Sequence, residues 1–169
     1  ISLLYGALPS IKAFGFGFIT STEWNPVTEQ FGAWPSIRGT IISSAIALVV
    51  AVPISFGIAI FLTELSPTWL RRPLGICIEL LAGVPSIIYG MWGLFIFAPL
   101  FADNVQPWLT EKTAGIPFIG ALFDGPPMGI GMFTGGLILA IMVIPFVTSV
   151  MRDVFEVVPP LLKESAYGL

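Results

Sequence analysis

Residues 39–63 read GTIISSAIALVVAVPISFGIAIFLT and contain no charged side chain. Two more uncharged stretches follow, residues 80–102 and residues 125–151. A helix rises about 1.5 Å per residue, so roughly 20 apolar residues cross the hydrocarbon core of a bilayer. Each stretch is long enough and is continuously apolar rather than alternating, which favours helices over barrel strands. The sequence therefore predicts an all-α protein, a polytopic bundle of transmembrane helices.

Breaks in the apolar pattern divide the chain into one partial span and three complete spans. Because the chain opens on Ile1 rather than Met, we expect a fragment of a longer protein whose first span lacks its start. The third loop contains the helix breakers Pro107, Pro117, Pro126 and Pro127. The predicted order is a partial span 1–20, an outer loop 21–39, span 40–65, an inner loop 66–73, span 74–101, an outer loop 102–127, span 128–151 and a cytoplasmic segment 152–169.

The orientation rests on the positions of the cations. The connection 66–73 holds Arg71 and Arg72, and the segment after the last span holds Arg152 and Lys163. The opposite side holds the other three cations, Lys12, Arg38 and Lys112. Loops rich in Lys and Arg stay in the cytoplasm, and the adjacent arginines stand in a very short loop. We therefore place the Arg71–Arg72 connection and the final segment on the cytoplasmic side.

Composition excludes several classes of function. Of the 169 residues 56% are hydrophobic and 10% are charged, and seven Lys and Arg residues are too few for a nucleic-acid interface. Histidine is absent and Cys77 is the one cysteine, so imidazole metal sites and disulfides within these residues are excluded. We expect no catalytic residue, metal or cofactor, because Glu79 is the one carboxylate inside span 74–101 and an enzyme needs several convergent polar groups.

Small residues accompany Glu79 along span 74–101. On a continuous helix at 100° per residue, Gly83, Ser86 and Gly90 fall within about 40° of the carboxylate. Such a face can line a polar path, or it can let a second helix pack closely, which is the commoner use. Both interpretations remain open. Span 40–65 carries a comparable stripe of Ser44, Ala47, Ala51 and Ser55.

The segment after the last span begins a new helix. Pro159 and Pro160 precede residues 161–169, LLKESAYGL, and proline is favoured at the first position of a helix. One side of that helix carries Leu161, Leu162, Ser165, Ala166 and Leu169. A short amphipathic helix of this kind fits a groove in a partner protein, and a helix that rests on the lipid surface is the alternative.

Residues 164–168, ESAYG, resemble the start of the EAA loop of ABC importer permeases, with Ser165 in place of the first of the two alanines. Other segments resemble the permease subunits of phosphate-uptake ABC transporters in particular. These segments are residues 23–26 (EWNP), 56–64 (FGIAIFLTE), 72–75 (RPLG), 84–95 (VPSIIYGMWGLF) and 163–168 (KESAYG). The resemblance covers nearly the whole chain.

The resemblance implies a type I importer permease of about six spans in the bacterial inner membrane. Its implied partners are an ATP-binding cassette ATPase subunit, a second homologous permease, an extracytoplasmic phosphate-binding protein and membrane lipid. It also implies that a coupling helix enters a cleft of the ATPase subunit, here with the residues Leu161, Leu162, Glu164, Ser165, Ala166 and Gly168.

The residues themselves leave other functions open. They do not distinguish phosphate from another oxyanion such as molybdate or sulfate, and a scaffold or sensor subunit that transports nothing has the same hydropathy. The chain contains no Gly-x-x-x-x-Gly-Lys-Ser/Thr loop, so we expect ATP hydrolysis to occur in a partner chain.

Overall fold

The structure, a computed structural model, describes residues 1–116, 128–159, 161, 162, 165 and 168. Over these residues the chain is helical apart from one short hairpin. It divides into two compact units, Ile1–Ile42 and Ser43–Leu169. Helix α3 (Trp34–Ile60) begins in the first unit and continues into the second.

The first unit contains α1 (Ser2–Phe14), α2 (Gly17–Thr20) and a hairpin of β1 (Trp24–Asn25) and β2 (Gln30–Phe31). The strands are antiparallel, with Trp24 opposite Phe31, and their rings meet edge-on at 5.1 Å between centroids. Asn25 forms the turn, because its Oδ1 accepts hydrogen bonds from the N–H groups of Val27 at 3.0 Å and Thr28 at 3.4 Å. The hairpin lies in the polar segment that was predicted as a loop.

Helix α3 extends through a π-helical turn, Phe61–Leu65, and the two together make a helix of 32 residues. Side-chain hydroxyls satisfy carbonyl groups near its end: Thr63 donates to Ala59 at 3.0 Å, and Ser66 donates to Leu62 at 2.9 Å. The last carbonyls of a helix lack intrahelical partners, so these bonds let the helix end beside a buried serine.

Helix α4 (Thr68–Ala82) follows after a two-residue connection. The next helical stretch runs from Ser86 to Thr113. It consists of α5 (Ser86–Trp92), a π-helical turn (Gly93–Phe97), α6 (Ala98–Leu100), a second π-helical turn (Phe101–Val105) and α7 (Gln106–Thr113).

The helix boundaries in this region differ from the continuous helix expected over 74–101. The backbone leaves the helix at residues 83–85, because Pro85 has no N–H to donate and disfavours helical backbone in Val84. The helix then continues past Pro107, which was predicted to break it. Pro107 lies in the first turn of α7, where no intrahelical N–H is needed. The other three predicted breakers, Pro117, Pro126 and Pro127, lie outside the described residues.

The last long helix, α8 (Met132–Val157), packs against α3 through small residues. Ala47, Ala51 and Ala140 form the buried centre of this contact. The predicted stripe on α3 is confirmed at Ala47, Ala51 and Ser55, which are buried together with Ala59. The Ser55 hydroxyl donates to the Ile144 carbonyl at 3.2 Å, so a hydrogen bond joins the two helices beside Pro145.

Gly129 fixes the chain just before α8. Its φ of 69° is a left-handed conformation that side chains other than glycine rarely adopt. A Cβ at this position would also collide with the carbonyl of Ala98. The Gly129 N–H donates to Oε1 of Gln106 at 3.0 Å, so the start of α8 is joined to the end of the preceding span.

Three helices in the described part of the chain are long and apolar enough to cross a membrane: Trp34–Leu65, Ser86–Thr113 and Met132–Val157. This arrangement confirms the predicted fold class, a polytopic bundle of transmembrane helices.

Two adjacent glycines in α8 test the close contact with α3. A Cβ at Gly136 would lie 2.7 Å from Cγ2 of Ile46 and 3.3 Å from the Ser43 carbonyl oxygen, whereas a Cβ at Gly135 meets nothing within 4 Å. We expect Gly136→Ala to destabilise the protein by about 1–3 kcal/mol through overpacking. Gly135→Ala is the matched control and should be neutral or stabilising by up to about 1 kcal/mol. The measurement is the thermal midpoint of each variant in detergent, and equal midpoints would contradict the helix contact.

Candidate functional site

An ion pair joins α4 to the end of α8. Arg152 Nη2 lies 2.7 Å from Oε1 of Glu79, 73 residues earlier in the chain. Gly75, one turn before Glu79 on α4, makes room for the guanidinium, because a Cβ there would lie 2.7 Å from Arg152 Nη1. Gly75 is buried, so the arginine covers the bare backbone of α4 at this point.

Arg152 also approaches two carboxylates of its own helix, Asp153 at 3.4 Å and Glu156 at 3.7 Å. The Arg152 side chain is only 17% exposed, whereas that of Glu79 is 54% exposed. One largely covered guanidinium therefore interacts with three acidic side chains at the end of the bundle. A guanidinium suits this position because its five N–H donors point in several fixed directions.

The small residues expected to share a face with Glu79 do not all lie on one continuous helix in the described structure. The break at residues 83–85 separates Glu79 and Gly83 from Ser86 and Gly90. Gly83, Ser86 and Gly90 are exposed, and a Cβ at Gly90 would meet nothing within 4 Å. Glu79 itself is directed to Arg152, which favours a packing role for this carboxylate.

Gly93, further along the same stretch, does contact α8. A Cβ at Gly93 would lie 2.5 Å from Cδ1 of Ile138. Glu79 and Gly93 are 14 residues apart, and so are their partners Arg152 and Ile138. The stretch from α4 to α5 therefore runs antiparallel to α8 and keeps its register across the break.

A cleft of about 410 Å³ opens beside the ion pair, at the end of the bundle where α4 begins and α8 ends. Charged side chains dominate its lining, with three arginines and two glutamates. The lining residues are Thr68, Arg71, Arg72, Gly75, Ile76, Glu79, Arg152 and Glu156. Arg71 and Arg72 of one segment and Arg152 of another were predicted to lie on the same side of the membrane, and the structure places all three around one cleft.

The predicted coupling segment is described only in part. Leu161, Leu162 and Ser165 are helical, and Gly168 follows them, whereas Glu164 and Ala166 lie outside the described residues. The Leu162 N–H donates to the Pro159 carbonyl at 3.0 Å, and the Ser165 hydroxyl donates to the Leu162 carbonyl at 2.9 Å. Leu161 is 77% exposed and Leu162 is 62% exposed. Both leucines are therefore available to a partner or to lipid.

Sequence reasoning missed the partner of Glu79. Arg152 was assigned to the segment after the last span, and its pairing across 73 residues has no local pattern. One usable signal was present, because Glu79 and Arg152 are opposite charges that both lie near the predicted cytoplasmic end of a span. Gly75 carried no signal, because its role depends on which side of α4 faces α8.

These observations define the class of protein: a multi-pass helical membrane protein with a charged cluster at one end of its bundle. Known proteins are similar in sequence to the chain along all 169 residues. The chain is 60% identical to the phosphate transport system permease protein PstC of Haemophilus influenzae and 58% identical to that of Mesorhizobium japonicum, in both cases over 100% of its length. It is 35% identical over 98% of its length to the probable PstC of Methanocaldococcus jannaschii.

The chain covers 54%, 52% and 53% of these three relatives, so it spans about half the length of the curated relatives it matches. Neither a protein-family model nor a solved structure gave a match. The chain is a homologue of the PstC permeases, which confirms the resemblance to phosphate-uptake permeases. Its relatives are named as transport permeases and not as enzymes.

The unequal roles of Arg152 and Glu79 give a stability prediction. Glu79→Ala leaves Arg152 with two carboxylates and should cost no more than about 1 kcal/mol, as for other exposed pairs. Arg152→Ala leaves three carboxylates together and should cost more. In the double variant, the loss should equal that of Arg152→Ala alone, because the arginine is the shared partner. Thermal midpoints of the purified full-length variants measure this cycle, and additive losses would show that the pair is not formed.

Proposed function

We propose that the chain forms part of the membrane-spanning permease subunit of an ATP-driven importer of inorganic phosphate in the bacterial inner membrane. The observation that carries this proposal is the 60% identity along the whole chain to a protein named as a phosphate transport permease. The three helices capable of crossing a membrane agree with a role in forming a translocation path.

The proposal includes three protein partners. A separate ATP-binding cassette subunit hydrolyses ATP, since the chain has no phosphate-binding loop of its own. A second homologous permease completes the path, and an extracytoplasmic phosphate-binding protein delivers the ion. Delivery by a carrier is physically reasonable because the predicted outer loops are slightly acidic and would repel free phosphate. In segment 21–39, for example, Glu23 and Glu29 outnumber Arg38.

The segment from Leu161 to Gly168 is the proposed contact with the ATPase. Its described leucines are exposed, which suits insertion of an apolar helix face into a groove. The segment begins nine residues after Arg152, whose guanidinium is held by Glu79 of α4. A displacement of the coupling helix by the ATPase would therefore act on α4 and α8 together, and the helices would tilt between inward-open and outward-open states.

An importer of a different oxyanion is the second candidate, because the residues themselves do not distinguish phosphate from molybdate or sulfate. The two candidates are distinguished by measuring the uptake of radiolabelled phosphate in the presence of competing molybdate or sulfate. A scaffold or sensor subunit would show no uptake at all in a reconstituted complex.

Bulky substitution tests the proposed coupling helix. Ala166→Trp, on the apolar side of the helical projection, should reduce phosphate uptake roughly tenfold or more, since overpacking an interface costs about 1–3 kcal/mol. Glu164→Arg should also block uptake by reversing a charge within the motif. Lys163→Trp, away from the apolar side, is the matched control and should retain uptake. All variants are compared at equal amounts in the membrane, and normal uptake by Ala166→Trp would contradict the assignment.

A second substitution separates the two interpretations of Glu79. Gln at this position still offers an oxygen to Arg152 but carries no charge. If Glu79 serves packing, Glu79→Gln should retain most of the phosphate uptake and the normal protein level. Loss of uptake at an unchanged protein level would instead assign the carboxylate, with Gly83, Ser86 and Gly90, to the translocation path.

A further inference from the structure

Arg71 lies at the mouth of the cleft between α4 and α8 with most of its donors unused. Its Nη2 donates to the Ser66 carbonyl at 3.4 Å, a long hydrogen bond. Its Nε is buried and has no hydrogen-bond partner. Buried polar groups in proteins are nearly always paired, and a charged one without a partner is costly. The Nε–H of this partly buried guanidinium is therefore free to donate to an acceptor in the cleft.

Arg72, like Arg71, takes part in none of the ion pairs at this end of the described structure. Those ion pairs are made by Arg152, which engages Glu79, Asp153 and Glu156. The two glutamates that line the cleft thus both lie against Arg152. The lining carries three positive charges and two negative ones, although the whole chain has a net charge of −3. Arg71 and Arg72 are the two cations of the lining that lie outside the Arg152 ion pairs.

The cleft lies where a membrane surface is expected. Two helices that are able to span a membrane end at the cleft. Trp34–Leu65 ends three residues before Thr68 of the lining, and Met132–Val157 ends one residue after Glu156 of the lining. Trp69, in the first turn of α4, is 75% exposed, and Trp side chains favour the boundary between lipid and water. The cleft also has room for a ligand, because its volume of about 410 Å³ is more than ten times the roughly 30 Å³ that one water occupies in the liquid.

We infer that this cleft binds a phosphate group through Arg71 and Arg72, with the Thr68 hydroxyl at its rim. A tetrahedral phosphate presents several oxygens to a guanidinium fork, and charge-assisted bonds of this type are strong. The start of α4 adds a favourable dipole, because unpaired N–H groups of the first turn attract negative charge. The site does not depend on the proposed function.

Two sources supply a phosphate group at this surface. One is the headgroup of an anionic phospholipid, which would anchor the start of α4 at the membrane. The other is free inorganic phosphate, which would place a binding site on the arginine end of the protein. The experiment therefore contains one arm for each source.

The purified native complex in neutral detergent is titrated with dioctanoyl-phosphatidylglycerol, with zwitterionic dioctanoyl-phosphatidylcholine and with inorganic phosphate, and its thermal midpoint is recorded. A ligand that binds the folded protein raises the midpoint with concentration. The test variant is Arg71→Gln/Arg72→Gln. The matched control is Arg38→Gln/Lys112→Gln, which removes two cations that do not line the cleft. Arg71→Lys/Arg72→Lys keeps the charge and serves if the glutamine variant does not fold.

We expect a saturable rise with phosphatidylglycerol or with inorganic phosphate that the control retains. Each arginine near an anionic lipid surface contributes about 1 kcal/mol, so the glutamine variant should need roughly 30-fold more ligand for the same rise. The lysine variant should fall between the two. The ligand that loses its effect in the glutamine variant identifies the source.

The inference is overturned if neither anion raises the midpoint, or if the rise is the same in wild type and in the glutamine variant. An acidic protein segment that fills the cleft would give the first result, and phosphate that binds elsewhere would give the second. Phosphate uptake, measured in parallel, reports on the proposed function separately.

Discussion

Close contact between small residues is the interaction on which the bundle depends. In a bilayer, burying one apolar side chain against another gains little over lipid, so helices associate through tight packing and interhelical hydrogen bonds. Ala47 and Ala51 of α3 meet Ala140 of α8 at full burial, and Gly136 lies directly on Ile46. The Ser55 hydroxyl adds a hydrogen bond to the Ile144 carbonyl. Larger residues at these positions would separate the helices.

The position of α8 then determines where α4 and α5 lie. Gly93 contacts Ile138, and Gly75 and Glu79 contact Arg152, so glycines allow both close approaches. The interruption at residues 83–85 leaves this register intact, while the Tyr89 hydroxyl donates across it to the Leu81 carbonyl at 3.0 Å. The charged cluster is consequently a result of helix packing. Arg152 reaches Glu79 because α4 and α8 lie side by side, and the contact between Gly93 and Ile138, 14 residues away, helps to hold this arrangement.

Most large apolar side chains of the chain point away from these contacts. Val49, Ile87 and Phe95 are all more than two-thirds exposed, which a water-soluble fold would not tolerate but lipid and further helices accept. The bundle thus buries small residues inside and presents large ones outside. The same reasoning accounts for the charged groups that line the cleft, which lie at one end of the bundle, where a bilayer surface can solvate them or supply their counter-charges.

The sequence by itself determined the class of fold, because uncharged stretches such as residues 39–63 are a local property and only a helix satisfies their backbone in lipid. It also predicted the small-residue stripe on α3, since a helical period places Ala47, Ala51 and Ser55 on one side. The tertiary structure decided the rest. That the helix continues past Pro107 depends on where α7 begins, and the pairing of Glu79 with Arg152 depends on which sides of two distant helices meet. These are relations between segments, and no local pattern contains them.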